Sequence, residues 1–135
     1  MPRSYIADSS AVVALLSRGD QHHAWIAAQA ENLPTPWLTC EAVLTEAFYL
    51  LGTRGAPNLK ELLRRKALNL SFDLGEQLLP VLILMDKYAD LPMSLADACL
   101  VRMTETLSDA VVLTTDADFR LYRRHSRQVI PCLLP

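Results

Sequence analysis

The sequence predicts an α/β fold in which a parallel sheet is covered by helices on both faces. Three observations carry this. Short apolar runs alternate along the chain with segments of helical periodicity, the pattern of repeated strand–helix units. The strongest run, Ala110-Val111-Val112-Leu113-Thr114, is continuously apolar and β-branched, as in a strand buried on both faces. The first run, Tyr5-Ile6-Ala7, ends on Asp8-Ser9-Ser10 and passes at once into a helical pattern with Val12, Val13, Leu15 and Leu16 as apolar positions. In parallel α/β sheets such a turn lies at the carboxyl edge of the strands, where ligands bind.

The elements follow in order. After the first strand and helix, Gly19-Asp20 marks a turn, and a second helix is expected over residues 21–32, with Trp25, Ile26 and Ala28 facing the core. His22 and His23 open it with no converging ligands nearby, so they read as structural or surface residues. Two prolines keep residues 33–38 extended, as a short strand. Thr39 suits the N-cap of a third helix running to residue 53, before Gly55 and Pro57 break it. Residues 58–67 read as a further helix and 70–72 as a brief strand. A helix over 73–88 contains Pro80, which should kink or divide it. Ser94 opens a helix to residue 107, and the strong strand follows at 110–114. A short helix over 117–124 and an edge strand over 128–131 complete five strands. There is no internal repeat, low-complexity tract or linker, so residues 1–135 are expected to form one domain.

Composition excludes several classes. A hydrophobic fraction of 51% against 21% charged residues excludes wholesale disorder. A net charge of −2 excludes a broad basic coat, although not a local basic groove. Cys40, Cys99 and Cys132 are odd in number and widely spaced, as expected for buried reduced thiols, and form no zinc-binding pattern. No secretory signal pattern is present at the N-terminus, and the most apolar segment, residues 78–85, is too short to span a bilayer. A cytoplasmic protein with no membrane attachment is expected.

Four of the 15 acidic residues stand where solvation does not explain them. Asp8 and Asp116 each end a strand, and on neighbouring parallel strands they would share one sheet edge. Asp97 lies one turn into the helix opened by Ser94. Glu46 sits beside an apolar stripe of Val43, Ala47 and Leu50, a costly place for a carboxylate without compensation. Each has an ordinary structural reading: Asp8 and Asp116 as N-caps worth about 1 kcal/mol each, Asp97 as part of a variant capping box, and Glu46 as a stripe-edge or arginine-paired residue. Taken together they suggest a carboxylate cluster, which is stable only with cations bound. Oxygen-only ligation suits Mg²⁺ or Mn²⁺, and such sites serve metal-assisted phosphodiester hydrolysis.

Four motifs in order, Ile6-Ala7-Asp8-Ser9-Ser10, Leu44-Thr45-Glu46, Ser94-Leu95-Ala96-Asp97-Ala98 and Leu113-Thr114-Thr115-Asp116-Ala117-Asp118-Phe119, resemble the PIN-domain family, and the length and order of elements look like its VapC-type toxin ribonucleases. The resemblance implies a three-layer α/β/α sandwich with a central parallel sheet of about five strands. It implies a Mg²⁺- or Mn²⁺-dependent ribonuclease with catalytic residues Asp8, Glu46, Asp97 and Asp116. Asp8 and Asp97 would be the principal metal ligands and Asp116 would complete the set, while Glu46 would orient or deprotonate the attacking water. Ser10 and Thr115 would support the carboxylates or a metal-bound water, and Asp118 would act chiefly as a helix cap. It also implies a small antitoxin partner and a homodimer. For RNA, Arg120 and Arg123 follow the acidic motif and could hold backbone phosphates, whereas Arg64-Arg65-Lys66 reads equally well as a solvated face.

Two other readings compete. A PIN-like module that has lost catalysis would bind RNA or a protein without cutting. A phosphatase of the haloacid-dehalogenase type would require an aspartate where Ser10 stands, and a phospho-receiver would require an acidic pair beside the first strand. The four glycines form no phosphate-binding array.

Overall fold

The computed structural model describes residues 3–91 and 93–135. Its centre is a sheet of five parallel strands in the order β3-β2-β1-β4-β7, made by β1 (Ser4–Ala7), β2 (Trp37–Thr39), β3 (Leu68–Leu70), β4 (Ala110–Leu113) and β7 (Cys132–Leu133). The register pairs Ser4 to Ala7 with Ala110 to Leu113, so the first strand and the strongest one are parallel neighbours, as their patterns required. Alternation of side chains divides the core. Ile6 and Val112 point to one face, against α5 (Leu95–Thr106) and α4 (Leu78–Lys87). Ala7, Trp37, Leu68 and Leu113 point to the other, against α1 (Ser9–Leu16), α2 (His23–Asn32) and much of α3 (Glu41–Arg64). This is the expected three-layer α/β/α sandwich. Among the described residues, no helix is long and apolar enough to cross a membrane.

Several boundaries differ from expectation. Thr39 ends β2 and sends its hydroxyl to the Ala7 carbonyl at 3.0 Å; Cys40 is the residue preceding α3. Helix α3 breaks at Gly52, with φ 64° and ψ −165°, a conformation open chiefly to glycine, while Pro57 lies within the second segment. Gly55, the expected break, is helical: a Cβ there would lie 2.8 Å from Leu51 Cβ, so its role is close packing. That second segment ends at Arg64, and Lys66 at φ 61° turns the chain into β3 two residues ahead of the expected strand. Pro80 does not kink α4. The helix starts at Leu78, which places the proline in the first turn, where its missing N–H has no intrahelical partner to lose.

The C-terminal region departs most. In place of a helix over 117–124 there is one 3-10 turn, Ala117–Arg120, followed by a two-stranded antiparallel hairpin of β5 (Arg123–Arg124) and β6 (Gln128–Val129). His125 and Ser126 turn the hairpin at positive φ. The edge of the main sheet is therefore β7, not residues 128–131, and Pro131 contributes its carbonyl to the Val112 amide at 2.9 Å. The three cysteines are free thiols, and His23 lies with Nδ1 2.8 Å from the Ala14 carbonyl, a structural role.

Candidate functional site

Because β1 and β4 run in parallel register, the residues just past them, Asp8 and Thr114, emerge side by side at the carboxyl edge. Asp8 is the N-cap of α1 and is only 3% exposed. Its carboxylate is saturated by neutral donors: the Ser9 amide at 2.7 Å, the Thr114 hydroxyl at 2.7 Å and the Ser10 hydroxyl at 3.3 Å. Burial nevertheless dominates and raises its pKa to about 6, with repulsion from Asp97 and Asp116 adding to the rise.

Asp97 reaches the same edge from α5. Ser94 caps the helix with a reciprocal capping box: the Asp97 amide donates to Ser94 Oγ at 3.0 Å, and the Ser94 amide donates back to Asp97 Oδ2 at 3.4 Å. The capping reading of Asp97 is thus correct, yet it does not exhaust the residue. Oδ2 also accepts the hydroxyl of Tyr122 at 3.1 Å. Tyr122 is fully buried between Tyr88 and Phe119, and its own pKa is pushed up by burial and by Asp97, so it stays a donor. Asp97 is itself raised, by desolvation first and by Asp116 among other causes.

Glu46 comes from α3 and is half-buried. Ser9 Oγ donates to Glu46 Oε1 at 3.0 Å while lying 3.4 Å from Asp8 Oδ1, so one hydroxyl links the two acids. Asp116 stands at the turn after β4. Its Oδ1 accepts the Asp118 amide at 2.9 Å, and its own amide donates to Thr114 Oγ1 at 2.9 Å. The cap of the 3-10 turn is therefore Asp116, not Asp118, because Asp118 already lies inside the turn. Ser10 Oγ donates to Asp8 Oδ2 at 3.3 Å, and the same oxygen accepts the Thr115 amide at 3.0 Å. The side-chain role foreseen for Thr115 falls instead to fully buried Thr114.

The two arginines differ. Arg120 is exposed. Arg123 folds its guanidinium back onto the carbonyls of Arg120 and Tyr122, at 2.7 and 2.9 Å, and so braces the 3-10 turn.

Ser9, Thr114 and Tyr122 escaped the sequence reading. A hydroxyl after a strand has a local signal that could have flagged Ser9 and Thr114. Tyr122 has none, since its bond to Asp97 spans two elements. Among the described residues no three Asp, Glu, His or Cys side chains close into a ready-made metal cage. Among the same residues neither buried aspartate is paired with a base; the ion pairs there are Arg3–Asp109 and Arg102–Glu105. Two acids held in low dielectric by neutral donors, with a third close enough to repel both, form a site that gains from a hard cation.

The family model of the PIN domain matches residues 5–124, which includes all four acids. Among solved structures, the chain is similar to the VapC20 toxin of Mycobacterium tuberculosis, a sarcin-ricin loop cleaving toxin, with a TM-score of 0.73 and 21% identity over 85% of this chain and 92% of that one. No curated protein matches the sequence.

Proposed function

This chain belongs to the PIN-domain family, and we propose that it is a Mg²⁺- or Mn²⁺-dependent endoribonuclease, the toxin of a type II toxin–antitoxin pair, acting in the cytoplasm as one domain over residues 1–135. The observation that carries the reading is the pair of buried, base-free aspartates Asp8 and Asp97, drawn from distant segments to one sheet edge, with Asp8 raised to about 6.

The donor set fits the cation: it is all oxygen, hard and anionic. Asp8 and Asp97 would hold it, with Asp116 completing the set. When bound, such a cation lowers the pKa of a water and offsets charge on the phosphoryl group. The chain's own residues do the rest. Thr114 and Ser10 hold one oxygen of Asp8, and Tyr122 and Ser94 hold one of Asp97, so neither carboxylate is free to rotate. Glu46, fixed through Ser9, orients the attacking water and accepts its proton. Exposed Arg120 takes a backbone phosphate, while Arg123 contributes mainly by bracing the turn that carries Asp116. A small antitoxin and a second copy of the chain are the partners this reading entails.

The test is direct. Purified protein should cut RNA with Mg²⁺ or Mn²⁺ and stop with EDTA, and Asp8→Asn and Asp97→Asn should each abolish cutting while remaining folded. Cleavage at the parental rate by either variant overturns the site. Tight RNA binding without metal-dependent cleavage over varied substrates identifies a binding module instead.

A further inference from the structure

The helices that bring Asp8 and Glu46 to the acidic edge meet again at their other ends. Asp8 caps the start of α1, which ends at Leu16; Glu46 lies in the first segment of α3, which ends before the break at Gly52. Leu16 and Leu51 are walls of one pocket of about 360 Å³, lined also by Ser17, Arg18, Arg54 and Asn58. Arg18 follows α1, and Arg54 belongs to the second segment of α3. Both arginines are exposed, and neither makes an ion pair among the described residues. The acid nearest to Arg18 in sequence, Asp20, is engaged elsewhere, its carboxylate accepting the His22 amide at 2.8 Å. Two like charges lining one cavity repel each other, so the pocket gains from an anion.

We propose that this pocket holds a backbone phosphate of the RNA strand, a short way along it from the phosphate cut at the acidic edge, a role that rests on the ribonuclease reading. The donors fix the head group. Guanidiniums donate only, so the ligand brings the acceptors, and phosphate oxygens match their fork. Size fixes what comes with it. A volume of about 360 Å³ is that of a small-ligand site rather than of a lone ion, and Leu16 and Leu51 give the attached ribose an apolar wall. Distance fixes the source. The eight residues of α1 make about 12 Å of helix, so one strand can reach both places. Leu50, one turn beyond Glu46, is 61% exposed and leaves the α3 surface between them uncovered. A phosphate contact of this kind adds affinity and fixes where the strand lies without reading its sequence.

The test takes single-stranded RNA that the full-length protein cuts, with one phosphate at a time replaced by an uncharged methylphosphonate. One replacement away from the cut should lower kcat/KM about tenfold, the loss of a charge-assisted hydrogen bond. The double variant Arg18→Gln, Arg54→Gln should lose a similar factor on unmodified RNA through KM, with kcat kept. It should also be indifferent to that same replacement. Both positions are exposed, so its melting temperature should match the parent's. If the parent cuts but no replacement separates it from the double variant, the pocket assignment is overturned and the ribonuclease reading stands. If the parent cuts no RNA over varied substrates, both fall. Inorganic phosphate is the arm for a free anion. If it shifts the Arg18 and Arg54 guanidinium signals of ¹⁵N-labelled protein and RNA does not displace it, the proposal is overturned.

Discussion

Tyr122 and Trp37 are both aromatic side chains with a donor at the tip, and both are almost fully buried, one on each face of the same sheet. Their donors meet opposite fates. Tyr122 gives its hydroxyl to Asp97 at 3.1 Å, while the indole N–H of Trp37 has no partner. The difference follows from what each face was left to solve. On the α5 face a buried carboxylate needs donors, and the tyrosine is one of the groups that make an unpaired acid tolerable. On the α1 face the indole N–H is enclosed without an acceptor, and the pocket that Trp37 helps to line has no acid among its lining residues. One aromatic is part of the machinery that holds a charge, and the other is enclosed with its donor unanswered.

The largest expected effect breaks the comparison at the acid. Asp97→Asn and Asp8→Asn should each reduce RNA cleavage by about 100-fold or more, since even outer partners of metal ligands cost 10- to 100-fold when removed. Rates in saturating Mn²⁺ check this. If Asp97 carries no such loss, Tyr122 holds a mere helix cap.

Next comes stability without metal. Asp8 has a folded pKa of about 6 against an ordinary value of 3.8, so the folded state binds more protons between those values and stability falls as pH rises from 3.8 to 6. Above that window the buried charge costs on the order of 3 kcal/mol. Asp8→Asn should therefore raise the melting temperature at neutral pH in EDTA and flatten the decline across the window. Added Mn²⁺ should stabilise the parent but not the variant. Melting curves over that pH range read both effects.

Tyr122→Phe should cost about 2 kcal/mol, as expected for a lost hydrogen bond to a charged acceptor. Because that bond favours the ionised form of Asp97, its loss moves the acid limb of the pH–rate profile to higher pH, an effect that simple loosening of the core would not produce. The smallest effect is the sharpest. Trp37→Phe should change stability less than Tyr122→Phe, because the cost of truncating a buried ring, about 1 kcal/mol or more, is offset by removing an unpartnered buried donor worth about 1–3 kcal/mol. Urea midpoints for the two variants, measured together, decide whether the two donors really differ.

Much of this was legible beforehand, for local reasons. Asp8 follows an apolar run and precedes helical periodicity; Ser94 and Asp97 have the spacing of a reciprocal cap; the 110–114 run has the composition of a strand buried on both faces. Each signal is contained in a few adjacent residues. What was missed depends on contacts between distant ones. Thr114 and Thr115 are indistinguishable by type, and only the pairing of β4 with β1 turns the first towards Asp8. The break expected at Gly55 and Pro57 falls at Gly52, where φ is 64°, while Gly55 stays helical against Leu51, and neither fact has a local signal. The two-residue strands β5, β6 and β7 are shorter than any periodicity can register. Their place is set by the turn at His125 and Ser126 and by hydrogen bonds to the finished sheet.

The strand that carries Asp8 is the third of five, with β2 on one side and β4 on the other. Fraying begins at the outer strands β3 and β7 and must remove β2 or β4 before it reaches β1. The Asp8 amide itself is bonded to the Leu113 carbonyl at 3.0 Å. Its hydrogen exchange should therefore occur only through global opening of the domain, whereas amides in the β5–β6 hairpin exchange by local opening. The acidic edge is thereby anchored in the last part of the sheet to come apart, and any partner that reshapes it must work against the stability of the whole fold.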